Sequence, residues 1–269
     1  MKRILNKEET IELHKRQTNG ETTKALAEEL SINPATLRRA FKRYNLKIAT
    51  GCPEFRKTRL NCINKDYWKE IDSEVKAYIL GFIYGDGNIT GKNRVQIKMS
   101  KADSYILDPF INEACKGIEL DKVNETKKRG VGIELIHFYI NSDDWCRDLQ
   151  KWGVERNKSL LGNLTFPNIN KSLECHFIRG YFDANGSAST YKTTSNLLKS
   201  IAIYSTSSNL LNTISRKVGL PKKLYITSMK NCEMYKLQYK SQVDVEVVYS
   251  YLYNDATLLL SRKRDILIR

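Results

Sequence analysis

Two short segments carry the residue types best suited to chemistry. The first runs Ala77-Tyr78-Ile79-Leu80-Gly81-Phe82-Ile83-Tyr84-Gly85-Asp86-Gly87, and the second His176-Phe177-Ile178-Arg179-Gly180-Tyr181-Phe182-Asp183-Ala184-Asn185-Gly186. Both are apolar runs of helical length that end in a small residue, a short polar residue and glycine; position 185 follows position 86 by 99 residues. An acidic side chain at the carboxyl end of a helix opposes the helix dipole, so Asp86 is unfavourable there unless something compensates. If two such helices end side by side, their carbonyl-rich ends plus a carboxylate make a hard-oxygen site for a divalent cation such as magnesium. The positions at those ends are Gly85 and Asp86 in one copy and Ala184 and Asn185 in the other. A cation held there can polarise a phosphodiester and activate water. An isolated Asp-Gly pair is more simply a helix-ending turn with no chemistry; the recurrence of the whole segment argues for more.

Positioning these ends requires the helices to pack closely. Gly81 and Gly85, and likewise Gly180 and Ala184, are small residues four apart, so each pair forms a flat strip along one helix face. The two strips can therefore make the interface between two halves. The chain after each segment repeats one order. In the first half Arg94 to Met99 alternates as a strand, Tyr105 to Lys116 reads as a helix, Lys122 to Lys128 and Ile133 to Ile140 as strands, and Trp145 to Trp152 as a short helix. In the second, Ser200 to Tyr204 reads as a strand, Asn209 to Val218 as a helix, Leu224 to Met229 and Met234 to Tyr239 as a hairpin, and Val243 to Leu267 as one or two helices. A period of two sends Arg94, Gln96 and Lys98 to one sheet face while Val95, Ile97 and Met99 face the helices; Lys236, Gln238 and Lys240 alternate in the same way with Tyr235, Leu237 and Tyr239. A polar sheet face of this kind suits a DNA major groove, and a merely solvated face is the alternative.

With its flanks, this duplicated pattern resembles single-chain LAGLIDADG homing endonucleases. The flanks are Glu70-Ile71-Asp72-Ser73-Glu74, Trp152-Gly153-Val154 with Asn157-Lys158-Ser159, and Tyr251 to Ala256 with Arg262-Lys263, so the resemblance covers residues 65–269. It implies an α+β fold: a pseudo-twofold, duplicated αββαββα core whose sheets form a DNA-binding saddle. It also implies site-specific cleavage of double-stranded DNA with magnesium or manganese, calcium acting as a non-catalytic substitute. By position it assigns Lys98, Lys158 and Lys263 to the catalytic centre, where each stabilises transition-state charge or holds the attacking water, or else contacts phosphate. The sheet residues Arg94, Gln96, Lys98, Lys192, Lys236, Gln238 and Lys240 become expected DNA contacts. Asn185 departs from the pattern, because the family carries a carboxylate there. An amide offers a metal its carbonyl oxygen but no charge, so weaker metal binding, nicking, or binding without cleavage are each compatible. Asp183 is a candidate to replace part of the missing charge or, alternatively, an interface residue.

The remaining sequence fits a polyanion partner. Formal charge is +15, from 45 basic and 30 acidic residues spread along 269 positions. Residues 21–30 and 34–44 read as helix, turn, helix, with Leu26, Leu30, Leu37 and Phe41 on one face and Arg38, Arg39, Lys42 and Arg43 on the other. That is a small all-α helix-turn-helix module with a basic recognition helix, or an ordinary helical hairpin. The expected units are a helix-turn-helix module at 1–48, a basic linker at 49–66 containing Gly51, Pro53, Arg56, Lys57, Arg59 and Asn61, and halves at 67–168 and 169–269. Six scattered cysteines without a CxxC pair suggest neither zinc nor disulfides, and no apolar run approaches the ~18 residues of a membrane span. The expectation is an intracellular, bacterial or phage-like, nucleoid-associated monomer that binds one long asymmetric DNA site. Its rivals are a non-cleaving DNA-binding regulator and an intron-RNA maturase.

Overall fold

A computed structural model of the protein describes residues 5–18, 21, 23–46, 63–115, 134–156, 158–194, 197–229 and 232–268. The chain divides into two compact units, Met1–Ile63 and Asn64–Arg269.

The first unit has three helices, α1 (Lys7–Thr18), α2 (Thr23–Glu29) and α3 (Pro34–Arg43). A reciprocal capping box opens α1: Asn6 accepts from the Glu9 amide at 2.8 Å, and the Glu9 carboxylate accepts from the Asn6 amide at 3.1 Å. Asn33 caps α3, which starts with Pro34, where a missing N–H costs nothing. Leu5, Leu13, Leu26, Ala27, Leu37, Ala40 and Phe41 form its core, so α1, which the sequence reading omitted, supplies a third wall. Arg38, Arg39, Lys42 and Arg43 are all exposed on α3. Of the expected linker, residues 49–62 lie outside the described residues. Asn64 belongs to the second unit, where its amide donates to Ala114 O at 2.9 Å and its carbonyl accepts from Trp145 Nε1 at 2.8 Å.

The second unit begins its first half with α4 (Glu74–Gly85), β1 (Gly87–Thr90) and β2 (Arg94–Ser100), then a 3-10 turn over Lys101–Leu107 and α5 (Asp108–Ala114). β3 (Leu135–Asn141), α6 (Asp143–Lys151) and the short α7 (Lys158–Leu161) follow. The helix expected over Tyr105–Lys116 is split because Pro109 can neither donate a helical hydrogen bond nor sit in a helix interior. The strand expected over Lys122–Lys128 lies outside the described residues.

The second half runs through α8 (Glu174–Asn185), β4 (Gly186–Lys192), β5 (Leu197–Ser205), α9 (Ser208–Lys217), β6 (Tyr225–Met229), β7 (Cys232–Tyr239), α10 (Gln242–Tyr253) and α11 (Ser261–Ile268). Serine side chains at 73, 142, 207 and 241 cap α4, α6, α9 and α10, so polar punctuation in the sequence fixes where each helix starts.

Two antiparallel sheets result, β1-β2-β3 and β4-β5-β7-β6. Their registers repeat: Gly87 opposes Ile97 as Gly186 opposes Ile203, and Lys98 opposes His137 as Tyr204 opposes Lys236. Val95, Ile97 and Met99 are buried, as are Ile201, Ile203, Leu237 and Tyr239, so one face of each sheet covers the core. The other face carries Arg94, Gln96 and Lys98 in one half and Lys236 and Gln238 in the other, all at least partly accessible.

Candidate active site and nucleic-acid face

Helices α4 and α8 pack backbone to backbone at the middle of the second unit. A Cβ placed on Gly81 would overlap the Phe177 carbonyl, one on Gly180 would overlap the Tyr78 carbonyl, and one on Gly85 would overlap the Ala184 Cβ. Only glycine leaves room for carbonyl oxygens at this distance, so Gly81 and Gly180 set the helix separation. Three connections across the halves add direction. Buried Arg179 donates to Leu258 O and Leu252 O, each at 2.8 Å, and pairs with Glu74, whose carboxylate also accepts from the Thr257 and Leu258 amides. Arg262 forms a forked bond to Asp103, with Nη2 at 2.9 Å, and Tyr105 Oη donates to Leu259 O at 3.1 Å.

This packing brings the two carboxyl ends together. Asp86 caps α4 while Asn185 closes α8, and a Cβ on Gly85 would lie 3.4 Å from the Asn185 side-chain carbon. Asp86 reaches solvent but sits among dense protein atoms; partial desolvation raises its pKa, and Lys158 and Lys263 pull it back. Those lysines occupy equivalent places. Lys158 Nζ donates to Ile83 O at 2.9 Å and to Gly87 O, while Lys263 Nζ donates to Phe182 O at 2.9 Å, Asp183 O at 2.7 Å and Gly186 O at 2.6 Å. Both are buried, 6% and 5% exposed, and burial lowers each pKa to about 8.

The expectation that the crowded negative helix ends must recruit a metal is thereby modified. Two ammonium groups already neutralise the last carbonyls, so the demand for a cation rests on the Asp86 carboxylate and the neighbouring Asn185 amide. Lys158 and Lys263, which the resemblance assigns to the catalytic centre, direct their ammonium groups at helix carbonyls in this structure. Asn157 lies outside the described residues.

Asp183 is not at the helix-end gap. It is 2% exposed, its Oδ2 accepts from Tyr78 Oη at 2.7 Å and from the Leu260 amide at 2.8 Å, and burial raises its pKa to about 6. It holds the interface and supplies no charge beside Asn185. Tyr84, its counterpart, donates to Trp152 O.

Lys98 stands on the exposed sheet face. Continuing the β1–β2 register by one step sets it across from Asp86, and the same step in the second half sets Tyr204 across from Asn185. The second half puts its cation on the neighbouring strand, with Lys236 Nζ 6.0 Å from the Tyr204 ring centroid. Lys192 is exposed at the end of β4, and Lys240 lies just beyond β7.

The ligands available at the gap are hard oxygens: the Asp86 carboxylate, the Asn185 amide oxygen and the end carbonyls of Gly85 and Ala184. This donor set fits an ion that keeps several waters and needs few protein ligands, as magnesium does. Among the described residues no group of three or more His, Cys, Asp and Glu side chains forms a metal cluster, and Cys146 and Cys175 are in no disulfide.

A duplicated α+β core joined through two glycine-bearing helices, with one carboxylate and one amide at their shared end, defines the class. Residues 172–263 match a family model described as a LAGLIDADG-like domain, which spans α8 through the Lys263 plug. No curated protein matches the chain in sequence.

Among solved structures, the chain is similar to the LAGLIDADG meganuclease I-AabMI bound to uncleaved DNA, with 14% identity, coverage of 70% of this chain and 86% of that one, and a TM-score of 0.46. It is also similar to the homing endonuclease I-LtrWI bound to target DNA, with 10% identity, coverage of 76% and 90%, and a TM-score of 0.48. I-SmaMI, bound to an uncleaved DNA target in the presence of calcium ions, is 12% identical over 70% of this chain and 87% of that one, with a TM-score of 0.44. No helix among the described residues is long and apolar enough to cross a membrane.

Proposed function

We propose that the protein is a site-specific, metal-dependent DNA endonuclease that acts as a monomer and cuts one strand in preference to two. The observation that carries this reading is the shared carboxyl end of α4 and α8, where an acidic and a neutral oxygen ligand meet beside the polar faces of two sheets. Asp86, Asn185 and the carbonyls of Gly85 and Ala184 would hold magnesium or manganese. When bound, the ion polarises the scissile phosphate and lowers the pKa of a coordinated water.

The chain's own groups do the rest. Lys98 faces the same side as Asp86 and donates to a non-bridging phosphate oxygen. Lys158 and Lys263 tether the helix ends so that the ligand oxygens keep their places. Arg94, Gln96, Lys236 and Gln238 face the duplex, and the exposed basic side of α3 serves as a helix-turn-helix reader of flanking sequence. Because one carboxylate is missing, charge at the gap is halved and unequal for the two strands.

A supercoiled-plasmid assay carrying a selected target tests this. The wild type is expected to give open circles with magnesium, Asp86→Asn to give none, and Asn185→Asp to add linear product. Unchanged nicking by Asp86→Asn would remove the metal role. A second reading, a DNA-binding regulator that never cuts, is favoured by the same Asn185 together with the basic α3; specific binding with no nicking by the wild type or by Asn185→Asp would select it.

A further inference from the structure

The three outward side chains of β2 differ in how much of their hydrogen-bonding capacity the protein itself consumes. Register pairs Arg94 with Asn141, Gln96 with Tyr139 and Lys98 with His137. Arg94 donates from Nε to Asn141 Oδ1 at 3.0 Å, and its guanidinium lies 4.6 Å from the Tyr139 ring centroid. Bond and stacking together hold the guanidinium so that its two terminal nitrogens remain available. Gln96 Oε1 lies 2.9 Å from His137 Nε2. A carboxamide oxygen has no hydrogen to give, so His137 is the donor, neutral or protonated. That bond takes one of the two lone pairs of the Gln96 oxygen and turns the oxygen toward His137 on β3, so the amino group is the half of the amide left to the groove. Lys98 can only donate.

We propose that this row reads hydrogen-bond acceptors alone: guanine, through O6 and N7, opposite Arg94, and guanine or thymine opposite Gln96. Adenine is disfavoured opposite Gln96, because the oxygen that would accept from its N6 amino group is held toward His137. The proposal deepens, and rests on, the reading of the sheets as the DNA face. Alternate residues of an antiparallel strand are ~6.8 Å apart, two base-pair steps of ~3.4 Å, so the two preferences fall two base pairs from each other. A free glutamine does the opposite and grips adenine with both ends of its amide. Gln238 is such a residue: it opposes Ala202, whose side chain has no hydrogen-bonding group. His137 is therefore a positioning residue that acts through Gln96, and it makes the two glutamines read differently.

Selection of bound duplexes from a random library tests this, using the full chain with calcium in place of magnesium. The wild type is expected to enrich guanine at one position and guanine or thymine two base pairs away. His137→Leu frees the Gln96 oxygen and is expected to turn that second position to adenine by about tenfold, while Gln96→Ala flattens it and leaves the guanine in place. A merely structural role for His137 would lower retention of all sequences and move no base preference. Adenine or cytosine at the second position in the wild type, or an unchanged base there in His137→Leu, overturns the proposal alone. No retention of any duplex overturns it together with the reading on which it rests.

Discussion

Two buried lysines show how single residues shape the centre. Lys263 is held by three carbonyls and Lys158 by two, at places equivalent in the two halves. Truncation to methionine keeps the apolar stem but orphans those oxygens. Lys263→Met is expected to cost about 2–4 kcal/mol and Lys158→Met less, read as a lower urea midpoint; an unchanged midpoint would remove the plug role. Glu74 sets an acid limit. Burial alone would raise its pKa, but hydrogen bonds from Thr257 and Leu258 and the charge of Arg179 outweigh that and hold it below the ordinary 4.5. Its folded pKa is depressed, so its contribution is fully present above 4.5 and fades as pH falls through the lower folded value. Melting temperatures from pH 7 to pH 3 should fall less steeply for Glu74→Gln than for the wild type, with the variant less stable at pH 7. Parallel curves would exclude that linkage.

At the scale of elements, the helix pair and the sheet registers bear most of the design. Gly81→Ala or Gly180→Ala forces a methyl group into a carbonyl of the facing helix, so each should cost more than about 3 kcal/mol or prevent folding, judged by soluble yield and melting temperature. Gly91→Ala is the contrast. Its site is open and its φ is +58°, so only backbone strain of about 1 kcal/mol is expected. Much of this was legible beforehand: small residues four apart disclosed the close helices, and period-two alternation disclosed which faces of β2 and β7 are polar. Three features were not. Helix α1 opens on the Asn6–Glu9 capping pair, but its apolar stripe is weaker than that of α2 and α3, so periodicity alone does not disclose it. The lysine plugs join positions 75 and 81 residues apart, and no local pattern encodes such a contact. The bond from His137 to Gln96 depends on the pairing of β2 with β3, which no propensity fixes.

For the whole molecule, charge is the leading variable. With a formal +15, binding to any duplex should weaken steeply with salt, log K falling linearly with log salt. Chains lacking residues 1–63 should give a shallower slope than the full chain by filter binding, because fewer phosphates are neutralised; equal slopes would mean that the first unit does not touch DNA. The pairing of α4 with α8 has one more consequence. Each glycine notch accepts a carbonyl of the other half, and Arg179 with Glu74 and Arg262 with Asp103 fix a single polarity. Phe166 packs edge to face against Phe177 and Ser207 donates to Leu164 O, so the connector already lies against the second half. A polypeptide cut just before residue 163 should therefore reassemble from two pieces in one register, and its DNA recognition would become conditional on both pieces being supplied at once.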